Sequence, residues 1–245
     1  MEKKIFKEKR MRKSSIKNYI TDYAKDRYYF NIHDLRNYFV RNNIEYTEEN
    51  LKQSIYRMKR DKIIYESGRG WYSKIKEDFV LDKNPIERII KLINKDFPFL
   101  EFSCWSSEQL KAFFHHLPTQ FVTFVYSDKD FLISLKDFLE NNNYNVFLNP
   151  QKKEAEKFVH FRDKTAILRP SVAYREPKDM YFAKIEKIIV DLYMEAKKTN
   201  LIDKEEYKRI VSNILRSYRI NLSEMLDYAH NRKVKNRIES IIKNI

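Results

Sequence analysis

Asn50, Gln53, Arg57 and Arg60 recur at spacings that place them on one side of a helix whose opposite side carries Leu51, Ile55 and Met58. Amide side chains can pair with base edges, and guanidinium groups with bases or phosphates, so such a stripe can read a duplex. Lys52, Lys59 and Lys62 add positive charge to the same segment, while Glu48 and Glu49 at its start would repel phosphates. The turn Ser67-Gly68-Arg69-Gly70 follows, between Ile63-Ile64-Tyr65 and Trp71-Tyr72-Ser73, and it holds both glycines of the chain. Glycine accepts the positive φ of a tight hairpin, which puts Arg69 at the tip. Asn50 and Gln53 are candidates for reading bases. Arg57, Arg60 and Arg69 suit positioning on the backbone, with Lys59 in the same charged set.

Other chemistry finds weaker support. The nearest approach to a nuclease-like acid-x-Lys strand is Glu176-Pro177-Lys178, whose proline a central strand would not accept. His115 and His116 are adjacent, so on a helix they point about 100° apart and suit a helix end better than a shared metal. The single cysteine, Cys104, stands beside Trp105 in an apolar strand, the setting of an inert thiol. With no CxxC pair and no Ser, His and Asp set marked by spacing, we expect no catalytic residue, cofactor or metal.

Charge directs attention to the same end. The 245 residues carry 49 Lys and Arg against 35 Asp and Glu, a net of +14, which makes phosphate-rich partners the first suspects. Residues 1 to 77 hold 20 of those cations and 11 acids, so +9 of the excess lies there. Lys3, Lys4, Lys7, Lys9, Arg10, Arg12, Lys13 and Lys17 form its densest run, suited to a phosphate backbone through counterion release, or to a solvated tail. The lack of an apolar signal core or membrane-length run, together with the lone cysteine, predicts a cytoplasmic chain.

The elements that must position these residues follow from periodicity. Ile16, Tyr19, Ile20, Tyr23 and Ala24 mark a first helix. Asn31 opens a second with Leu35, Phe39 and Val40 inward, and Thr47 caps the third. Three helices and a hairpin are the order of a winged helix-turn-helix, whose third helix enters the major groove while the wing tip lies on backbone or minor groove. Winged helices also bind proteins or serve as structure. Beyond it, strands at 100–105, 121–126, 145–148 and 165–169 alternate with helices led by Asn84-Pro85, Ser106-Ser107 and Asp128, a small sheet covered by helices. Pro177 is expected to end that sheet. Helical stripes then run from Phe182 to Tyr193 and from Tyr207 to Leu215, and a third, capped by Ser223, leads to the basic Arg232, Lys233, Lys235 and Arg237. The predicted class is α+β in three parts: a winged helix-turn-helix with a basic tail over 1–78, an α/β region over 79–177, and a helical layer over 178–245.

Trp105-Ser106-Ser107, Ile185-Glu186-Lys187-Ile188-Ile189-Val190-Asp191-Leu192, and Ile220-Asn221-Leu222 with Tyr228-Ala229 and Arg232 resemble, in that order, stretches of AbiEi-type antitoxins. These are the regulator halves of bacterial type IV toxin-antitoxin and phage-defence pairs. The resemblance implies a winged-helix domain that represses its own operon by binding operator DNA. It also implies a C-terminal region that opposes a nucleotidyltransferase-like toxin, without necessarily forming a stable complex. It brings no catalytic residues. Two alternatives stay open: a metal-dependent nuclease delivered to DNA by the winged helix, and a protein-binding defence scaffold.

Overall fold

The computed structural model of the protein describes residues 15–172, 175–199 and 201–243. The basic run from Lys3 to Lys13 lies outside them. The class is α+β. Helix α1 (Ile16–Ala24) starts where Ser15 Oγ accepts the Asn18 N–H at 3.3 Å. A short strand β1 (Tyr29–Asn31) leads into α2 (Ile32–Arg41), capped by the Asn31 side chain on the His33 N–H at 2.7 Å. Thr47 Oγ1 accepts from Asn50 N at 3.2 Å and opens α3 (Glu48–Arg60). Strands β2 (Tyr65–Glu66) and β3 (Trp71–Ser73) follow, and the small sheet has the order β1-β3-β2, antiparallel throughout. Three residues of Tyr-Phe-Asn are too short to show a strand period, so β1 was not legible in the sequence. Ile20, Leu35, Phe39, Leu51, Ile55, Met58 and Ile64 are buried together beneath these elements.

A second sheet has six strands in the order β6-β7-β5-β4-β9-β8. Strands β4 (Phe102–Ser106), β5 (Val122–Ser127), β6 (Asn145–Leu148) and β7 (Thr165–Pro170) match the expected four within two residues. β4 runs antiparallel to β5, whereas β5, β7 and β6 are parallel neighbours. Side chains alternate between two covered faces. Phe102, Cys104, Val125, Ala166 and Leu168 pack with α4 (Asn84–Asp96) and α5 (Leu132–Asn141). Trp105, Phe124 and Ile167 turn the other way and share a core with the C-terminal helices.

The sheet does not stop at Pro177. β8 (Lys178–Asp179) and β9 (Phe182–Ala183) extend it, β9 parallel to β4 through Cys104 and Phe182, so Phe182 belongs to a strand and not to the following helix. Pro177 precedes this added edge, where no ladder N–H is demanded of it, and its carbonyl accepts from Lys184 N at 2.9 Å. Helix α6 (Lys152–Phe158) crosses between β6 and β7. The C-terminal layer is α7 (Ile185–Thr199), α8 (Lys204–Ser217), α9 (Leu222–Asn231) and α10 (Lys235–Lys243). α9 begins at Leu222, capped by Asn221 on the Glu224 N–H at 3.1 Å, and not at Ser223. His115 and His116 follow a 3-10 turn that ends at Phe113, so they cap no α-helix.

The N-terminal unit grips the α8–α9 loop. Tyr29 Oη donates to the Tyr218 carbonyl at 2.5 Å and accepts from Ile220 N at 3.2 Å, while Arg219 pairs with Asp78 and lies over the Tyr65 ring. Leu222 N donates to the Ser67 carbonyl at 2.8 Å. The hairpin turn is thus anchored on the C-terminal layer and does not project as a free arm.

Candidate nucleic-acid interface and a buried charge network

On α3 the burial of Leu51, Ile55 and Met58 leaves Asn50, Lys52, Gln53, Arg57 and Arg60 exposed, in the phase read from the sequence. Intramolecular pairing sorts these side chains. Arg36 forms a two-point ion pair with Glu48 at 3.0 and 2.7 Å, which offsets one of the acids at the start of α3. Gln53 donates to Glu49 at 3.3 Å. Lys59 is half-buried and pairs with Glu66 of β2 at 2.6 Å, so its charge is engaged inside the fold, while Arg60 meets Asp61 at 3.2 Å. Lys52, Arg57 and Arg69 make no ion pair among the described residues. Gly68 at φ 98° and Gly70 at φ 75° flank Arg69, which the turn leaves exposed. Asn50, Arg57 and Arg69 are therefore the predicted site residues whose side chains are exposed and unpaired among the described residues, Gln53 and Arg60 are exposed but engaged by neighbouring acids, and Lys59 is the least available.

A second constellation escaped the sequence reading. Strand register lines up Ser103, Tyr126 and Arg169 in one row across β4, β5 and β7. Opposite them α7 presents Lys187, Asp191 and Glu195, each four residues apart and therefore on one stripe. Arg169 forks onto Glu195 at 3.0 and 2.6 Å and also donates to the Pro150 carbonyl at 2.7 Å. Lys187 Nζ lies 2.8 Å from Tyr228 Oη, 2.8 Å from Asp191 and 3.1 Å from Glu176, above the Tyr126 ring at 3.8 Å. Tyr228 Oη in turn donates a hydrogen bond to Asp191 Oδ1 at 2.9 Å, Arg232 closes on both at 3.2 Å, and Ser103 donates to Glu176 at 2.8 Å. Three cations balance three carboxylates with almost no solvent contact.

Burial first, and the Asp191 charge next, push the Tyr126 and Tyr228 hydroxyls well above the usual tyrosine range, so both stay protonated. Burial is the largest single influence on Arg232 and opposes its charge, but Asp191 together with the Tyr228 and Tyr126 hydroxyls outweighs it and holds the guanidinium above its ordinary value. Arg232, expected as part of a surface basic run, is instead an interior tie between α9 and α7. Burial raises the Cys104 thiol as well, consistent with an unreactive sulfur. The signal that could have found the network is the composition of α7 over residues 185–196, where the charged positions are Glu186 and the evenly spaced Lys187, Asp191 and Glu195. Polar residues at four-residue spacing in an all-round buried helix must face one another's partners.

Glu186 is the exception among the buried acids, since it has no ion-pair partner among the described residues. Its Oε1 accepts Asn221 N–H at 2.7 Å, and it borders a cavity of about 590 Å³ at the seam between hairpin turn and C-terminal layer. Burial raises its pKa and the Asn221 N–H offsets this only in part, so folding favours the protonated acid. The stability it contributes is present at acid pH and is lost as pH rises out of the ordinary carboxylate range. In thermal melts from about pH 4 to about pH 8, Glu186→Gln is expected to flatten this decline. A variant profile parallel to wild type would show that Glu186 ionises freely in the folded protein.

Among the described residues no three His, Cys, Asp or Glu side chains come together as a metal site, and no helix is long and apolar enough to cross a membrane. A family model matches residues 50–245, from within α3 to the last residue. The chain belongs to that family, DUF6577, described as a family of unknown function. No curated protein matches the chain. The DUF6577 match takes in the hairpin, the whole six-stranded sheet and every member of the buried network, while α1 and α2 precede it.

Proposed function

We propose that this DUF6577 protein is a cytoplasmic, non-enzymatic DNA-binding regulator that represses its own operon and acts as the antitoxin of a type IV pair. In this reading residues 15–78 form a winged helix-turn-helix. α3 lies in the major groove of operator DNA with Asn50 and Gln53 toward base edges, and Arg57 and Arg69 rest on phosphates. The observation that carries the DNA half is the outward side of α3: Asn50, Gln53, Lys52 and Arg57 all exposed, the two cations without carboxylate partners among the described residues, and Glu48 offset by Arg36. The antitoxin half, opposing a nucleotidyltransferase-like toxin, rests on the resemblance carried by residues 185–192, 220–222, 228, 229 and 232. These residues form the interior of the C-terminal layer and its joint with the hairpin, as a folded platform for that role requires.

Fluorescence anisotropy on the DNA upstream of its own operon tests the DNA half. Binding is expected to be tight and to weaken steeply with salt. Arg57→Ala with Arg69→Ala should lower affinity at least about tenfold and reduce the salt slope by about two. Equal binding by wild type and double variant would remove α3 and the hairpin from the interface. Metal-dependent cleavage of the same DNA would replace the regulator with a nuclease.

A further inference from the structure

The cavity of about 590 Å³ at the hairpin seam has the size of a small-molecule site, for which about 300–1,000 Å³ is usual. Its walls come from the turn at Ser67 and Gly68, the segment leading to α4, strand β9, the start of α7 and the loop ahead of α9. Phe79, Leu81 and Ile185 give it apolar surface. The charges around it cancel with one exception. Lys83 pairs with Asp179 at 2.8 Å, Arg219 with Asp78 at 2.9 Å, Lys184 with Glu224 at 3.1 Å, and Glu66 with Lys59 at 2.6 Å. Glu186 is left over. Only 7% exposed, its carboxyl meets backbone N–H groups alone among the described residues, those of Asn221 and of Glu186 itself. Ser67 lines the same cavity. Its N–H donates to the Trp71 carbonyl at 2.9 Å and its carbonyl accepts from Leu222 N at 2.8 Å, yet the hydroxyl, in a residue 2% exposed, has no hydrogen-bond partner among the described residues. Buried polar groups short of partners carry a desolvation cost that a matching ligand group removes.

We propose that this cavity is a binding site for a small organic cation, a protonated primary amine on an apolar body, whose ammonium pairs with Glu186 and donates to Ser67 Oγ. The inference goes beyond DNA binding and stands independently of it. An ammonium has three donors and no acceptor, which suits a carboxylate and a hydroxyl lone pair. It brings Glu186 the counter-charge that the fold withholds, in a chain whose net of +14 otherwise disfavours cationic ligands. An anion finds no spare cation in the lining, since Lys83, Lys184 and Arg219 each have their own carboxylate. A metal ion is unsuited because no three acids gather there among the described residues, whereas calcium takes about six to eight oxygens. The apolar body lies against Phe79 and Leu81. Held between the hairpin turn and α7, the ligand adds a tie to the seam on which the hairpin is anchored.

Isothermal titration of the full-length protein tests the site with two ammonium probes, phenethylammonium and 3-phenylpropylammonium, and with 2-phenylethanol and phenylacetate as neutral and anionic counterparts of the first. The better ammonium probe is expected to bind at one site per chain, at least about tenfold more tightly than the alcohol, with phenylacetate weaker still. Glu186→Gln should lower ammonium affinity at least about tenfold while leaving that of the alcohol within about twofold, a charge-specific loss that a merely distorted cavity would not produce. Ser67→Ala removes only an unpartnered hydroxyl and should lower ammonium affinity about threefold or more. Absence of ammonium binding by wild type up to about 10 mM, the weakest affinity expected of a ligand with about nine heavy atoms, would overturn the proposal. So would equal ammonium binding by wild type and Glu186→Gln, or tightest binding of phenylacetate. Should Glu186→Gln fail to fold, unchanged ammonium affinity in Ser67→Ala decides against the site.

Discussion

Lys187→Met is expected to cost about 3–5 kcal/mol of folding stability, a large share of the roughly 5–15 kcal/mol that holds a typical domain together. Methionine nearly preserves the length of the side chain, so the loss is electrostatic. Glu176 and Asp191 would be left buried, with Arg232 the remaining cation on Asp191 and Ser103 the remaining donor to Glu176. The ammonium's stacking on the Tyr126 and Tyr228 rings, at 3.8 and 4.9 Å, is lost as well. Urea unfolding should show a lower midpoint with an unchanged slope. A shift worth less than about 1 kcal/mol would mean that water reaches the carboxylates, contrary to their burial.

The second large effect belongs to the hairpin turn. Gly68 sits at φ 98°, and a Cβ there would overlap Asn221 Oδ1 and come within 2.7 Å of Ser223 Cβ and 2.9 Å of Ser223 N. Backbone strain and overpacking against the start of α9 together predict a cost of about 2–5 kcal/mol for Gly68→Ala. Gly70 is the internal control. It also has positive φ, at 75°, but its nearest contact would be Ile32 Cγ2 at 3.4 Å, an ordinary packing distance. Gly70→Ala therefore bears only the backbone cost, about 1 kcal/mol. Chemical denaturation of the pair reads the difference directly. Equal losses would mean that the turn stands free of α9 and that only its φ angles matter.

This contrast marks how far sequence reading extends into the fold. The glycines announced a turn because positive φ is a local property, and Ser15, Asn31 and Thr47 announced helix starts because a cap is satisfied within three residues. The apolar phase of α3 correctly placed Asn50, Gln53 and Arg57 outward, since one buried stripe determines the opposite one. Nothing local told that Gly68 is also the point where the hairpin meets Asn221 and Ser223, more than 150 residues later. Likewise Lys59 and Arg57 look equivalent in the sequence, yet Glu66 on the neighbouring strand engages only Lys59.

The chain by itself determined the alternation of helices and strands, the outward stripe of α3 and the location of the tight turn, because each depends on spacing between near neighbours. Tertiary structure alone decided that Ser103, Tyr126 and Arg169 stand in one row, that Lys187, Asp191 and Glu195 face them, and that Arg232 and Glu176 close the cluster. Strand pairing and helix docking bring residues as far apart as Ser103 and Glu176, 73 positions, within hydrogen-bond reach, and a buried charge is tolerable only where its counter-charge arrives with it.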